Sequence, residues 1–158
     1  MRGQGGADSL SGGAGNDTLR GEDGTDTIDG GAGNDMIFAS GGGADVIDGG
    51  DGTDTLIYDS DEGRVLVDLQ ADVSGAAFAR FFTAGAGEGQ TFANIENVRG
   101  GALADNLRGD SGDNLLEGGG VSDRLYGRAG DDTLMGGSGA DALYGNLGVD
   151  VMTGGDDL

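Results

Sequence analysis

A nine-residue period constrains this chain more than any other feature. Residues 12–20 read GGAGNDTLR, residues 30–38 read GGAGNDMIF, and GEDGTDTID lies between them. In the frame that starts at Gly12, full units begin at Gly3, Gly12, Gly21, Gly30, Ser40 and Gly49, with one inserted residue, Ala39, before the fifth. A second array begins at Gly100, Gly109, Gly118, Gly127, Gly136 and Gly145, and a broken unit follows from Gly154. A short fixed period implies units that cannot bury an apolar face alone and must stack on one another.

Each position has its own chemistry. Position eight is apolar in all twelve full units: Leu10, Leu19, Ile28, Ile37, Ile47, Leu56, Leu107, Leu116, Leu125, Leu134, Leu143 and Met152. Positions seven to nine read as a very short strand, so position eight points to one face and its neighbours to the other. Stacking then makes one column of apolar side chains. Glycine at positions one, two and four lets the backbone turn tightly. Leu103 and Val121 break that rule at position four, where strained or open turns are expected.

Position six is Asp8, Asp17, Asp26, Asp35, Asp45, Asp54, Asp105, Asn114, Asp123, Asp132, Asp141 or Asp150. A glycine turn exposes main-chain carbonyls, and the aspartate adds a carboxylate. Calcium takes six to eight oxygen ligands of both kinds. Without a cation, stacked carboxylates repel: roughly 0.8 kcal/mol per pair at about 5 Å in water, and several times more at lower effective dielectric.

GGAGNDTLR, GGAGNDMIF and GRAGDDTLM match the nonapeptide G-G-x-G-x-D-x-U-x, so residues 3–57 and 100–157 resemble the RTX (repeats-in-toxin) family. The resemblance implies an all-β fold: a right-handed parallel β-roll, or β-solenoid, with glycine-rich calcium-binding turns. It implies that successive nonapeptides lie on opposite sides and that calcium sits between a unit and the one two further on. Asp8 would pair with Asp26, Asp17 with Asp35, Asp26 with Asp45 and Asp35 with Asp54. In the second array the implied pairs are Asp105 with Asp123, Asn114 with Asp132, Asp123 with Asp141, and Asp132 with Asp150. Turn carbonyls would join them: Gly13, Gly15, Gly30, Gly31, Ala32 and Gly33 in the first array, and Gly118, Gly120, Gly127, Ala129, Gly136 and Ser138 in the second. Filling every pair gives about eight calcium ions. Ala39 is expected to distort the sites using Asp45, and neutral Asn114 to make the weakest site.

Residues 58–99 break the period and divide the chain into a first array (1–57), an interruption (58–99) and a second array (100–158). VLVDL, residues 65–69, alternates like a strand with Val65, Val67 and Leu69 on one face. NIENV, residues 94–98, reads similarly, with Ile95 and Val98 inward. The interruption is expected to continue the solenoid as wider coils without calcium turns. Phe78, Phe81, Phe82 and Phe92 fall here, either packing a loop against the roll or presenting a partner patch.

The balance of 29 acidic to 8 basic residues gives a net charge of −21. That argues against nucleic-acid partners, which require basic residues, and against anionic membrane surfaces. It favours cations. No apolar run is long enough for a membrane span. With no His, Cys or Lys, the chain lacks the usual nucleophile triads, zinc helices and P-loops. No enzyme is therefore expected in these residues. The array opens inside one repeat and stops inside another, so a fragment of a longer protein is expected, without a visible secretory signal.

The resemblance implies a calcium-binding module that folds after export, secreted or at the cell surface of a Gram-negative bacterium by type I secretion. Two other roles fit the same residues. One is an accessory module of a secreted protease, lipase or alginate epimerase. The other is an S-layer or adhesin segment, with self-association or adjoining domains as further partners.

Overall fold

A computed structural model describes residues 1–59, 63–70, 77–81 and 88–156. Among them are seventeen strands and no helix. In chain order the first seven are β1 (Arg2–Gly5), β2 (Ser9–Ala14), β3 (Thr18–Asp23), β4 (Thr27–Ala32), β5 (Met36–Phe38), β6 (Val46–Asp51) and β7 (Thr55–Ile57). The interruption supplies β8 (Val65–Asp68), β9 (Ala77–Phe81), β10 (Glu88–Ala93) and β11 (Asn97–Arg99). The second array adds β12 (Asn106–Arg108), β13 (Leu115–Gly119), β14 (Arg124–Ala129), β15 (Thr133–Ser138), β16 (Ala142–Leu147) and β17 (Val151–Asp156).

Alternate strands go to opposite sides. One sheet runs β1-β3-β5-β7-β11-β13-β15-β17 and the other β16-β14-β12-β8-β9-β10-β6-β4-β2. The result is a parallel β-solenoid of about 7 turns. One coil is two nonapeptides, because the chain must cross to the far sheet and return before it can pair with itself.

Register carries position eight onto position eight. In one sheet Leu19, Ile37, Leu56, Val98, Leu116, Leu134 and Met152 are successive partners. In the other, Leu10, Ile28, Ile47 and Phe92 align, as do Val67, Leu107, Leu125 and Leu143. Nearly all of these side chains are buried in one continuous core. Each fully buried Leu or Ile contributes about 1.5–3 kcal/mol. Met152 departs from the pattern at 51% exposed, since among the described residues β17 is the end strand of its sheet.

The interruption differs from the wider coils expected of it. β9 runs antiparallel between β8 and β10, while every other pairing is parallel. Residues 91–93 and 97–99 then pair in parallel register with the array strands, with Phe92 and Val98 taking the positions of array leucines. Val65, Val67, Leu69, Ile95 and Val98 are buried as expected. Phe92 joins the core, Phe78 and Phe81 lie on β9, and Phe82 falls outside the described residues.

Candidate metal centre

Stacking the coils stacks the position-six residues. On one side, the Asp17 N–H donates to Asp35 Oδ1 at 2.7 Å and the Asp35 N–H to Asp54 Oδ1 at 2.8 Å. On the other, the Asp8 and Asp26 N–H groups each reach the next Oδ1, of Asp26 and Asp45, at 2.9 Å. The second array repeats the link: Asp105 to Asp123, Asn114 to Asp132, Asp123 to Asp141 and Asp132 to Asp150. These hydrogen bonds join the residues that the resemblance pairs.

These bonds use one oxygen of each carboxylate. The Oδ2 atoms of Asp8, Asp26, Asp35, Asp54, Asp123, Asp132 and Asp141 are buried with no hydrogen-bond partner. A buried acceptor without a partner costs about 1–3 kcal/mol, and more when charged. Seven such atoms in two columns need cations or protons.

The glycine at position one makes room for each of them. A Cβ added at Gly30 would lie 2.4 Å from Asp35 Oδ2 and 2.4 Å from the Gly49 carbonyl oxygen. At Gly118 the corresponding distances are 2.3 Å to Asp123 Oδ2 and 2.6 Å to the Gly136 carbonyl. Any side chain would therefore fill the space where carboxylate and carbonyl converge. Gly31 and Gly33 serve the turn instead, with φ of +100° and +131°.

The remaining turn carbonyls fall into two groups. Those of Gly30, Gly118, Gly127 and Gly136 approach the position-one glycine two units earlier, beside its position-six oxygen. Those of Gly13 and Gly15 lie beneath Gly31 and Gly33. Ala32 gives its carbonyl to the Gly15 N–H at 2.7 Å. Gly120 and Ala129 use their N–H groups on the carbonyls of Gly101 and Asp110, and Ser138 pairs with Asp156 between β15 and β17. No group of three or more acidic side chains gathers among the described residues. Carboxylates come in stacked pairs, with main-chain carbonyl oxygens beside them.

Burial sets the electrostatics. It pushes the Asp123 carboxyl up to about 7, against the N–H of Asp105 and together with the charges of Asp105 and Asp141. Burial likewise raises Asp45, Asp54, Asp105 and Asp132. Desolvated carboxyls of this kind favour a hard divalent cation as a neighbour.

The expected departures have specific forms. Across Ala39 the repeat lengthens from 18 to 19 residues, yet the Asp26–Asp45 link persists. Asp45 Oδ2 is engaged instead by Gln90 Nε2 at 2.8 Å, and the same nitrogen donates to the Ala39 carbonyl. Val121 holds φ at +57°, a strained conformation for a β-branched residue. Asn114 donates its Nδ2 to the Glu96 carbonyl at 2.9 Å and accepts the Asp110 N–H, which satisfies its amide.

Two residues in these columns escape a search by motif. The Asp54 N–H donates to Glu96 Oε2 at 2.8 Å, so Glu96 follows Asp17, Asp35 and Asp54. Gln90 follows Asp8, Asp26 and Asp45, because the Thr91 N–H meets the Asp45 carbonyl as position seven meets position six elsewhere. A signal exists for Glu96: residues 91–99, TFANIENVR, end in frame before Gly100, placing Glu96 at six and Val98 at eight. Counted back from Gly100, Asn94 falls at position four, with φ of +53°, which asparagine tolerates; its carbonyl faces Gly49 as a position-one carbonyl does in the arrays.

The family model for the RTX calcium-binding nonapeptide repeat (4 copies) matches residues 2–37, 38–64, 99–134 and 126–157. No curated protein matches the chain. Among solved structures, the chain is similar to the extracellular lipase LipA from Serratia marcescens, with 22% identity over 95% of this chain and a TM-score of 0.31. The chain spans 28% of the length of that lipase chain.

Proposed function

This chain belongs to the RTX calcium-binding nonapeptide-repeat family, and from that premise we propose that it is a calcium-dependent folding module of a secreted bacterial protein. The observation that supports this most is the set of buried, unpartnered Oδ2 atoms in two stacked columns. Asp8, Asp17, Asp26, Asp35, Asp54, Asp123, Asp132, Asp141 and Asp150 would hold the ions, with carbonyls such as those of Gly30, Gly118 and Gly136. Calcium supplies divalent charge and a shell of six to eight oxygens. The protein supplies the spacing: short strands fix one carboxylate above another, and position-one glycines leave the space between them.

The two arrays, 1–57 and 100–158, then act as one module joined through 58–99. A chain with net charge −21 resists compaction where calcium is scarce. In a cytosol poor in calcium it stays extended and can be threaded through a type I exporter. Outside, at roughly millimolar calcium, weak sites suffice, because extracellular modules bind at about 10⁻⁴–10⁻³ M. Ion binding is then part of the folding free energy. RTX repeat domains are structural calcium-binding modules, and chemistry performed by a longer parent protein would reside elsewhere. Equilibrium dialysis of the chain against radioactive calcium tests the reading. Several ions bound per chain at millimolar calcium support it, and none bound overturns it.

A further inference from the structure

The coil at residues 88–99 has no glycine motif, yet it places one residue at position six on each side of the solenoid. Those two residues, Gln90 and Glu96, treat the carboxylate beneath them in opposite ways.

On the Glu96 side the array pattern continues. Glu96 Oε2 accepts the Asp54 N–H at 2.8 Å, as Asp54 Oδ1 accepts that of Asp35. The Asn97 N–H meets the Asp54 carbonyl at 3.0 Å, as the Thr55 N–H meets that of Asp35 at 2.9 Å. Asp54 is 0% exposed and its Oδ2 has no partner. That oxygen points into the space above Gly49, where an added Cβ would lie 2.6 Å from it and 2.0 Å from the Asn94 carbonyl oxygen. The next step is neutral: Asn114 donates its amide Nδ2 to the Glu96 carbonyl, and the ladder of main-chain links resumes beyond it to Asp132.

On the Gln90 side the corresponding oxygen is already engaged. Gln90 is 0% exposed, and its Nε2 donates to Asp45 Oδ2 and to the Ala39 carbonyl, both at 2.8 Å. Its Oε1 accepts the Tyr58 hydroxyl at 3.1 Å. The amide thus presents donors where the Asp54 step presents only acceptors.

We propose that Asp54 and Glu96, with the Asn94 carbonyl, form an additional calcium site inside the interruption, and that the Gln90 amide takes the place of a cation at Asp45. This inference rests on the calcium reading of the columns. The interruption then does two things: it extends the ladder by one step on one side and closes it on the other. It also accounts for the tolerance of Ala39, since Gln90 holds the carbonyl of the inserted residue and the carboxylate beyond it.

Calcium bound per chain, measured by equilibrium dialysis on the full 158-residue chain, tests it with E96Q and Q90E. E96Q keeps an acceptor for the Asp54 N–H but removes the charge, and should lose one calcium equivalent. Q90E sets a carboxylate opposite Asp45 Oδ2, and should gain one. An unchanged count in both variants, while the unsubstituted chain binds several ions, overturns this inference and leaves the wider reading standing. An unsubstituted chain that binds none removes both. If E96Q loses its β signal by circular dichroism, Q90E decides: a gained equivalent supports the proposal, and an unchanged count refutes it.

Discussion

The main-chain N–H of Asp35 donates to Oδ1 of Asp54, 19 residues on, at 2.8 Å, while Oδ2 of both carboxylates is left buried and unpartnered. Asp35 therefore belongs to two steps of one column, below Asp54 and above Asp17. Removing its charge should disturb both. Asp35→Asn keeps a hydrogen-bond acceptor and should lower calcium affinity and count. Asp35→Ala also strands the Asp17 N–H, at a further cost of about 1–3 kcal/mol. Isothermal titration with calcium reads both variants. A titration indistinguishable from the unsubstituted chain would contradict the pairing.

The glycine cradle can be tested apart from backbone strain. Gly30 and Gly154 both occupy position one, and neither has positive φ. A Cβ at Gly30 would meet Asp35 Oδ2 and the Gly49 carbonyl at 2.4 Å, whereas at Gly154 it would meet nothing within 4 Å. Gly30→Ala should weaken calcium binding markedly, and Gly154→Ala should leave it unchanged. Equal effects of the two substitutions would show that position one is not a ligand cradle.

The apolar column should be indispensable with or without ions. Leu134 is 0% exposed between Leu116 and Met152. Leu134→Ala should cost about 2–5 kcal/mol, lowering the thermal midpoint in calcium. Leu134→Asp should abolish the β signal at any calcium concentration, since it buries another charge in the core. A normal circular dichroism spectrum from Leu134→Asp would rule out the register.

Val121 offers a gain. Its φ of +57° is strained for a β-branched residue, and its side chain is 50% exposed, so little packing is lost on removing it. Relief of strain of order 1–3 kcal/mol, less roughly 0.5–1 kcal/mol of glycine entropy, leaves Val121→Gly about 1 kcal/mol more stable. Thermal unfolding in saturating calcium checks this, and a lowered midpoint would count against it.

The arrays were legible because each position is held by a separate physical demand. Turns need glycine, the core column needs Leu or Ile, and the stacked site needs a carboxylate. Twelve repetitions make the frame unambiguous, and the family resemblance then implies the partners of Asp17 or Asp132. The coil at 88–99 was legible only in NIENV, with Ile95 and Val98 inward, because elsewhere it meets the same demands with other residues. Asn94 supplies the positive φ, Phe92 and Val98 supply the column, and Gln90 and Glu96 stand where aspartates would. The partner of Asp54 lies 42 residues away, within the interruption, where the period of the first array does not reach. The antiparallel β9 was hidden for a related reason: AFARF, residues 77–81, alternates only weakly.

The most direct test of the account is a calcium titration from a chelated start, read by circular dichroism and by hydrodynamic size. The account predicts an extended coil in chelator and a cooperative transition to a compact β-rich chain as calcium approaches the 10⁻⁴–10⁻³ M range of extracellular modules. A chain already compact and β-rich in chelator, and unmoved by calcium, would contradict it.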